Sequence, residues 1–343
     1  MKKELVIDSA KNKDSFNYVN CFEKPLGLIL GNCKEELQID FFLLLKLLQC
    51  YQMDSFDNES LFYTIRYNEA LAYIFEEALN IEMIIEESDR AHLCQTIKKH
   101  IDQGRFALVP GNLKLYPEGE YYKEYDWKHL FLVNGYNEEE AVWYICDNTH
   151  EEGNDGSQYL QRTIDFGLLE SLFGAAGESF GICSVWSINI KNKNLPYSEK
   201  ELFMNVLYLY LYNRCEQPYK ELEYINTVLD KIRSGERMKA DCEGEELLES
   251  IEFILIRTIR YKEFFYQKVA CKLHLLGMEE SIINKVKSVS ESITAQWMGI
   301  ANSILIHYHI MKEFDMEDSI IRVIAKEKEM FRLLSRVKSE LEG

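Results

Sequence analysis

Several absences narrow the reading of this chain before any motif is considered. Only five of its 343 residues are proline, and with so few breakers long disordered tracts are not expected. The nine cysteines, at positions 21, 33, 50, 94, 146, 183, 215, 242 and 271, are odd in number and scattered, with no CxxC pair. Neither a secreted disulfide framework nor a structural zinc knuckle fits that spacing. No stretch supplies the roughly 20 apolar residues that cross a bilayer, and residues 1–18 are too polar for the core of a signal peptide; a cytoplasmic protein is expected. Positive charge is scarce: 39 basic against 57 acidic residues give a formal charge of −18. That balance argues against nucleic acid or an anionic membrane as partner, because either needs a concentrated positive surface. Repeats at solenoid periods are also missing. The glycine pair in Gly174-Ala175-Ala176-Gly177 reads as a turn and lacks the Lys-Ser/Thr of a phosphate loop, so nucleotide binding is not expected.

What is present is an ordered globular composition, 47% hydrophobic and 28% charged, long enough for two domains of roughly 100 to 200 residues. The period of the apolar residues changes along it. Up to about residue 195, short apolar runs (106–110, 129–135 and 141–147) alternate with helical stretches, which predicts an α+β domain over 1–195. Residues 196–343 carry a 3.6-residue pattern almost throughout, which predicts an all-helical domain of four or five helices. Ser198 with Glu201 three positions on forms a capping box before Leu202-Phe203-Met204, so a helix is expected there. Further helices are expected at 220–232, 245–275, 279–309 with a break, and 316–341. Within the first domain, 41–48 reads as a very apolar helix, 90–102 as a helix ending before Gly104, 106–109 as a buried strand and 188–190 as a weaker one.

One constellation has chemical promise. The runs His129 to Tyr136 and Ala141 to Asp147 flank the polar turn Asn137-Glu138-Glu139-Glu140 and predict a β-hairpin. With the turn centred near Glu138, His129 falls directly across from Asp147 on one face, where a carboxylate orients an imidazole. A register slip of one residue separates the two, and the plain alternative is a pair of ordinary strand-end residues. No His/Cys cluster at metal spacing lies nearby; His150 is the only close histidine, so a nucleophile is the better third member and no metal is expected. Cysteine supplies one, since its thiolate is reachable near neutral pH at a helix N-terminus beside an imidazole. Cys21, ahead of Pro25 and the stripe Leu26, Ile29, Leu30, and Cys33, in Gly31-Asn32-Cys33-Lys34, both precede apparent helices, and residue types alone do not separate them.

The segment Gly104-Arg105-Phe106-Ala107-Leu108-Val109-Pro110-Gly111-Asn112-Leu113-Lys114-Leu115-Tyr116-Pro117, followed by Tyr122, His129, Gly135-Tyr136 and Asp147, resembles the N-terminal domain of the butirosin biosynthesis protein H family. That family is similar in turn to papain-like and C39 cysteine peptidases, and the resemblance covers roughly residues 15–150. It implies a papain-like fold with Cys21 as nucleophile, in an Asn20-Cys21 context followed by Phe62-Tyr63, with His129 as base and Asp147 as its orienting carboxylate. Gly111-Asn112 and Leu115-Tyr116-Pro117 depart from the family pattern and leave the acyl pocket open. By resemblance, too, the activity is a cysteine-dependent acyl transfer from a carrier-protein thioester to a small amine, forming an amide in natural-product assembly of the aminoglycoside or the closthioamide type. The implied substrate arrives on a phosphopantetheine arm of an acyl or peptidyl carrier protein, and no bound cofactor is expected. Asn20 is expected to help the Cys21 backbone N–H as oxyanion donor. The acidic chain needs a local basic group to dock an acidic carrier, and Arg257, Arg260 and Lys262, or Lys191 and Lys193, are the candidates. The apolar faces at 247–269 and around Trp297, Ile300, Ile304 and His307 are expected to be core, or to pair in a homodimer. A papain-like peptidase or thioester hydrolase and a noncatalytic carrier-binding scaffold are the competing readings.

Overall fold

The computed structural model describes residues 1–11, 14–15, 17–51, 71, 73–117, 119–148, 150, 158–190, 197–213, 243–310 and 317–343, and for residues 51, 243–258, 304, 305, 307–310 and 317 the helix alone is described. The chain divides into two compact units, Met1–Phe41 with Ala72–Pro196, and Phe42–Leu71 with Tyr197–Gly343. Among the described residues no helix is long and apolar enough to cross a membrane.

The first unit is α+β. Its sheet contains β1 (Lys2–Glu4), β2 (Glu82–Glu87), β3 (Ala107–Asn112), β4 (Lys128–Asn137), β5 (Val142–Asp147), β6 (Leu160–Asp165) and β7 (Ser184–Asn189). The order is β2-β7-β3-β4-β5-β6, every pair is antiparallel, and β1 lies against the far end of β4. β4 is central and buried on both faces, which is why residues 129–136 read as an unbroken apolar run. β6 is an edge strand and is mostly exposed. Helices α1 (Glu23–Cys33) and α2 (Glu35–Tyr51) precede the main sheet, while α3 (Leu93–Asp102) and α4 (Phe166–Phe180) frame its strands in sequence. Ile97 and Ile101 of α3 and Leu169, Leu172 and Phe173 of α4 share one apolar core with Val109, Phe131, Val133, Trp143 and Ile145. The stretch Gly174 to Gly177, expected as a turn, lies inside α4 instead. Each glycine costs about 1 kcal/mol there relative to alanine, and burial of Leu169, Leu172, Phe173 and Ala176 offsets it. The chain leaves α4 through Gly181 at φ 67°, a left-handed C-terminal cap.

The second unit is helical where it is described. It holds α5 (Glu199–Asn213), α6 (Glu243–Leu275), α7 (Glu280–Ile310) and α8 (Glu317–Glu342), along with residues 42–51 of α2. The capping box opens α5 as the sequence predicts: Ser198 N–H donates to Glu201 Oε2 at 2.8 Å, and Glu201 N–H donates to Ser198 Oγ at 3.2 Å. α7 runs without the expected break. Residues 42–51 group with these helices because their apolar and cationic side chains meet α6: Phe42 packs edge-on to Phe264, and Lys46 sits over Tyr261 at 3.5 Å. The helix expected at 220–232, together with Phe62, Tyr63, Lys191 and Lys193, lies outside the described residues.

Candidate active site

The hairpin forms as β4 and β5, with a register that differs from a simple count through the turn. Leu132 pairs with Cys146 and Val133 with Ile145, but beyond an irregularity at Asn134 Gly135 pairs with Tyr144. The extra residue is a β-bulge. Asn134 is held there by Leu5, whose N–H donates to the Asn134 carbonyl at 2.7 Å and whose own carbonyl accepts from Asn134 Nδ2 at 3.0 Å. The turn ends pair as Asn137 with Val142, three positions away from a centre at Glu138, and the bulge takes one back, so Asp147 faces Phe131 and His129 is its diagonal neighbour, two positions off direct opposition; a displacement of two keeps both on one face. The contact survives the shift: His129 Nε2 donates to Asp147 Oδ1 and Oδ2 at 3.0 and 2.9 Å. A carboxylate accepts only, so the proton is on Nε2 and Nδ1 is the nitrogen with the lone pair.

Both side chains are buried, at 2% and 1% exposure, and their protonation follows from that. Burial is the largest influence on His129 and lowers its pKa, His150 adds to the lowering, and the Asp147 charge opposes it. For Asp147 burial pulls upward, but the two imidazoles outweigh it and hold the carboxyl well below the usual carboxylate range. A neutral imidazole against an ionised carboxylate is the resting state this arrangement favours.

His150, in the sequence no more than the nearest histidine, is a third member of the cluster. Its Nε2 donates to Asp147 Oδ2 at 2.8 Å, and its ring stands perpendicular to His129 with centroids 4.5 Å apart and edge-on to Tyr116 at 5.3 Å. The backbone of His150 is left-handed, at φ 57°, which costs a non-glycine residue roughly 1 to 2 kcal/mol. No helical or strand spacing connects positions 129, 147 and 150, and only the hairpin and the chain after it bring them together. Each offers one ligand atom, all within 4.8 Å of one another, so the three are also the donor set through which this region would hold a metal ion.

Cys21 stands where α1 begins. Asn20 Oδ1 accepts from the N–H groups of Phe22 and Glu23, both at 2.9 Å, while the Glu23 carboxylate takes the Asn20 N–H and Nδ2, both at 3.1 Å. This is a capping box, and with Lys24 N–H also donating to the Asn20 carbonyl at 3.0 Å it makes Asn20 the N-cap. Cys21 thus lies in the capped turn that leads into α1, two residues ahead of Glu23 and at the positive end of the helix dipole. Its thiol donates to the carbonyl of Lys128, the residue before His129, at 3.5 Å. The Asn20 amide, expected as an oxyanion donor, is engaged with Glu23 instead, because a buried carboxylate at that position of the first turn takes its N–H groups.

Cys33 is the last residue of α1, about 15 Å along the axis from the first, Glu23, at 1.5 Å per residue, and so at the opposite end of the helix from Cys21. Cys33 is exposed as a residue and sits at the negative end of the α1 dipole, and partial desolvation of its sulfur raises its pKa. Cys146 is buried in β5 with its thiol pushed up to about 12 by burial and then by the Asp147 charge, an inert packing cysteine. The proposed docking cations fare differently. Lys262 is buried, with Nζ 3.4 Å from Glu327 Oε1 and 4.9 Å from the Trp297 ring, so it is a core group and not a docking one. The apolar stripe of α6 draws it inward, and Glu327 supplies the counter-charge. Arg260 pairs with Glu263 at 2.9 Å, and the Arg257 side chain lies outside the described residues.

The chain matches no protein-family model and no curated protein.

Proposed function

We propose that the first unit is a papain-like cysteine acyltransferase that moves an acyl group from a carrier-protein thioester to a small amine. The observation that carries the reading is the meeting of two independently built parts. A capped helix start carries Cys21 and lays its thiol against the Lys128 carbonyl, and the next residue, His129, is held by a buried carboxylate. In the first step the thiol leaves Lys128 O and turns toward His129, Nδ1 takes its proton, and the thiolate attacks the thioester carbon. The carrier thiol departs with that proton, leaving the acyl group on Cys21. The amine then attacks the acyl enzyme, gives its proton to His129, and the amide leaves as the thiol is restored. Asp147 keeps the Nε2 proton in place throughout. With the Asn20 side chain engaged by Glu23, and the N–H groups of Phe22, Glu23 and Lys24 engaged by Asn20, the oxyanion falls in this reading to the Cys21 backbone N–H.

Transfer in preference to hydrolysis rests on the resemblance to the butirosin-type proteins. A thioester already has a good leaving group, and a site whose imidazole and carboxylate are buried favours a bound amine over water. The test is intact-protein mass spectrometry after incubation with a panel of acyl-carrier thioesters. A retained acyl mass on Cys21, discharged by added amine as amide ahead of free acid, is the expected result, with Cys33→Ala unaffected. Turnover that persists in Cys21→Ala would remove the nucleophile, and discharge to free acid alone would make the protein a hydrolase.

A further inference from the structure

Cysteine acyl transfer needs one imidazole on one carboxylate, and Asp147 carries two. We infer that His129, Asp147 and His150 form a binding site for a divalent transition-metal ion of the zinc class, and that its occupancy silences the thiol. Two imidazoles and a carboxylate are a donor set that zinc accepts, with a fourth position left open.

The distances suit it. Two ligand atoms each about 2.0 to 2.1 Å from a tetrahedral zinc lie about 3.3 Å apart. The nitrogen-to-oxygen separations here are 2.8, 2.9 and 3.0 Å. An ion therefore enters by moving each imidazole a few tenths of an ångström away from the carboxylate while the two ring nitrogens, within 4.8 Å of one another, turn inward toward the same spacing, a change that side-chain torsions make. The left-handed backbone at His150 brings its Nε2 to the same carboxylate oxygen as that of His129. A second observation lies beside the cluster. The Oδ1 of Asn148, next in chain to Asp147, and the hydroxyl of Tyr159, which precedes the strand residue paired with Asp147, are both buried without a hydrogen-bond partner among the described residues. Buried polar atoms left in this state call for a polar partner such as an ion with its water.

The protons balance without a co-reactant. Each ring now donates from Nε2 to Asp147; on binding, Nε2 becomes the ligand atom and that proton moves to Nδ1 of the same ring, while Asp147 remains a carboxylate. His129 then has a proton on the nitrogen that is to receive the one from Cys21. The silencing follows from that and rests on the acyl-transfer reading; the binding does not.

The full chain, freed of metal with chelator, is titrated with Zn²⁺ by calorimetry and with Co²⁺ by absorbance, as wild type, Cys21→Ser, His150→Ala and after alkylation of its exposed thiols. One ion per chain is expected, with ligand-field bands of a nitrogen and oxygen site and no sulfur-to-cobalt charge transfer. Binding should be unchanged in Cys21→Ser and in the alkylated protein and weaker by about 100-fold in His150→Ala. A sulfur-to-cobalt band in the wild type, loss of the ion on alkylation, or equal affinity in His150→Ala would each overturn the site. The wild-type spectrum decides the matter even if His150→Ala fails to fold. One bound ion in a protein that acylates no thioester upholds the site and overturns the acyl-transfer reading alone, whereas a saturated protein with undiminished turnover overturns the silencing.

Discussion

Replacing Asn20 separates two roles that the sequence leaves together. In Asn20→Ala the N–H groups of Phe22 and Glu23 lose their acceptor and the Glu23 carboxylate, fully buried, loses the Nδ2 donor. Loss of an N-cap costs about 1 kcal/mol, within roughly 0.5 to 2, and a buried acceptor deprived of a donor adds about 1 to 3. Because the Asn20 N–H still reaches Glu23, the lower part of that range applies, about 2 to 3 kcal/mol in all. In a unit of this size that is a fall in unfolding temperature of roughly 4 to 12 °C. Asn20→Ser keeps an oxygen for the cap and the backbone N–H for Glu23, so it should retain most of the stability. Turnover per folded molecule should then stay well short of the roughly 100-fold loss that removal of an oxyanion donor brings. The assay pairs thermal unfolding with turnover of a small acyl-thioester mimic at matched folded concentrations. A fully stable Asn20→Ser variant that has lost turnover about 100-fold would show that the amide serves the oxyanion, and the capping argument would be wrong.

Two further outcomes test the packing. His100 is buried with Nδ1 accepting from Arg105 at 3.3 Å and Nε2 3.6 Å from Glu86, and burial, aided by Arg105, lowers its pKa from the usual 6.5. The unfolded chain therefore takes up the proton first, stability falls as pH drops below about 6.5, and urea unfolding of His100→Gln should show a flatter decline between pH 6.5 and 5; parallel curves would refute it. In the helical unit Glu327 accepts from Trp297 at 2.9 Å and from Tyr266 and Lys262 at 3.4 Å, so Glu327→Ala should cost about 3 to 5 kcal/mol by taking the Glu327 counter-charge from a buried ammonium. The double variant Glu327→Leu, Lys262→Met should recover most of that in the same denaturation assay, and equal losses would remove the charge argument.

Local chemistry made much of this protein legible from its sequence alone. Ser198 and Glu201 announce their helix because a capping box is complete within four residues, and β4 shows as an apolar run because a strand buried on both faces has no polar side to display. The hairpin and the pairing of His129 with Asp147 follow from a polar turn between two such runs. What the sequence left open depends on contacts between distant residues. The turn pairs Asn137 with Val142 instead of centring on Glu138, a shift of three, and the bulge at Asn134, held by Leu5 more than a hundred residues away, takes one residue back; the net offset of two leaves His129 diagonal to Asp147 and on the same face. Cys21 and Cys33 look alike as thiols near helices, and only the direction of α1 puts one at its positive end beside β4 and the other at its negative end. Lys262 reads as a surface cation until Glu327, from another helix, supplies the charge that makes its burial tolerable. His150 joins the site by a left-handed turn of the backbone, which no periodicity records and only the packed hairpin makes worth its strain.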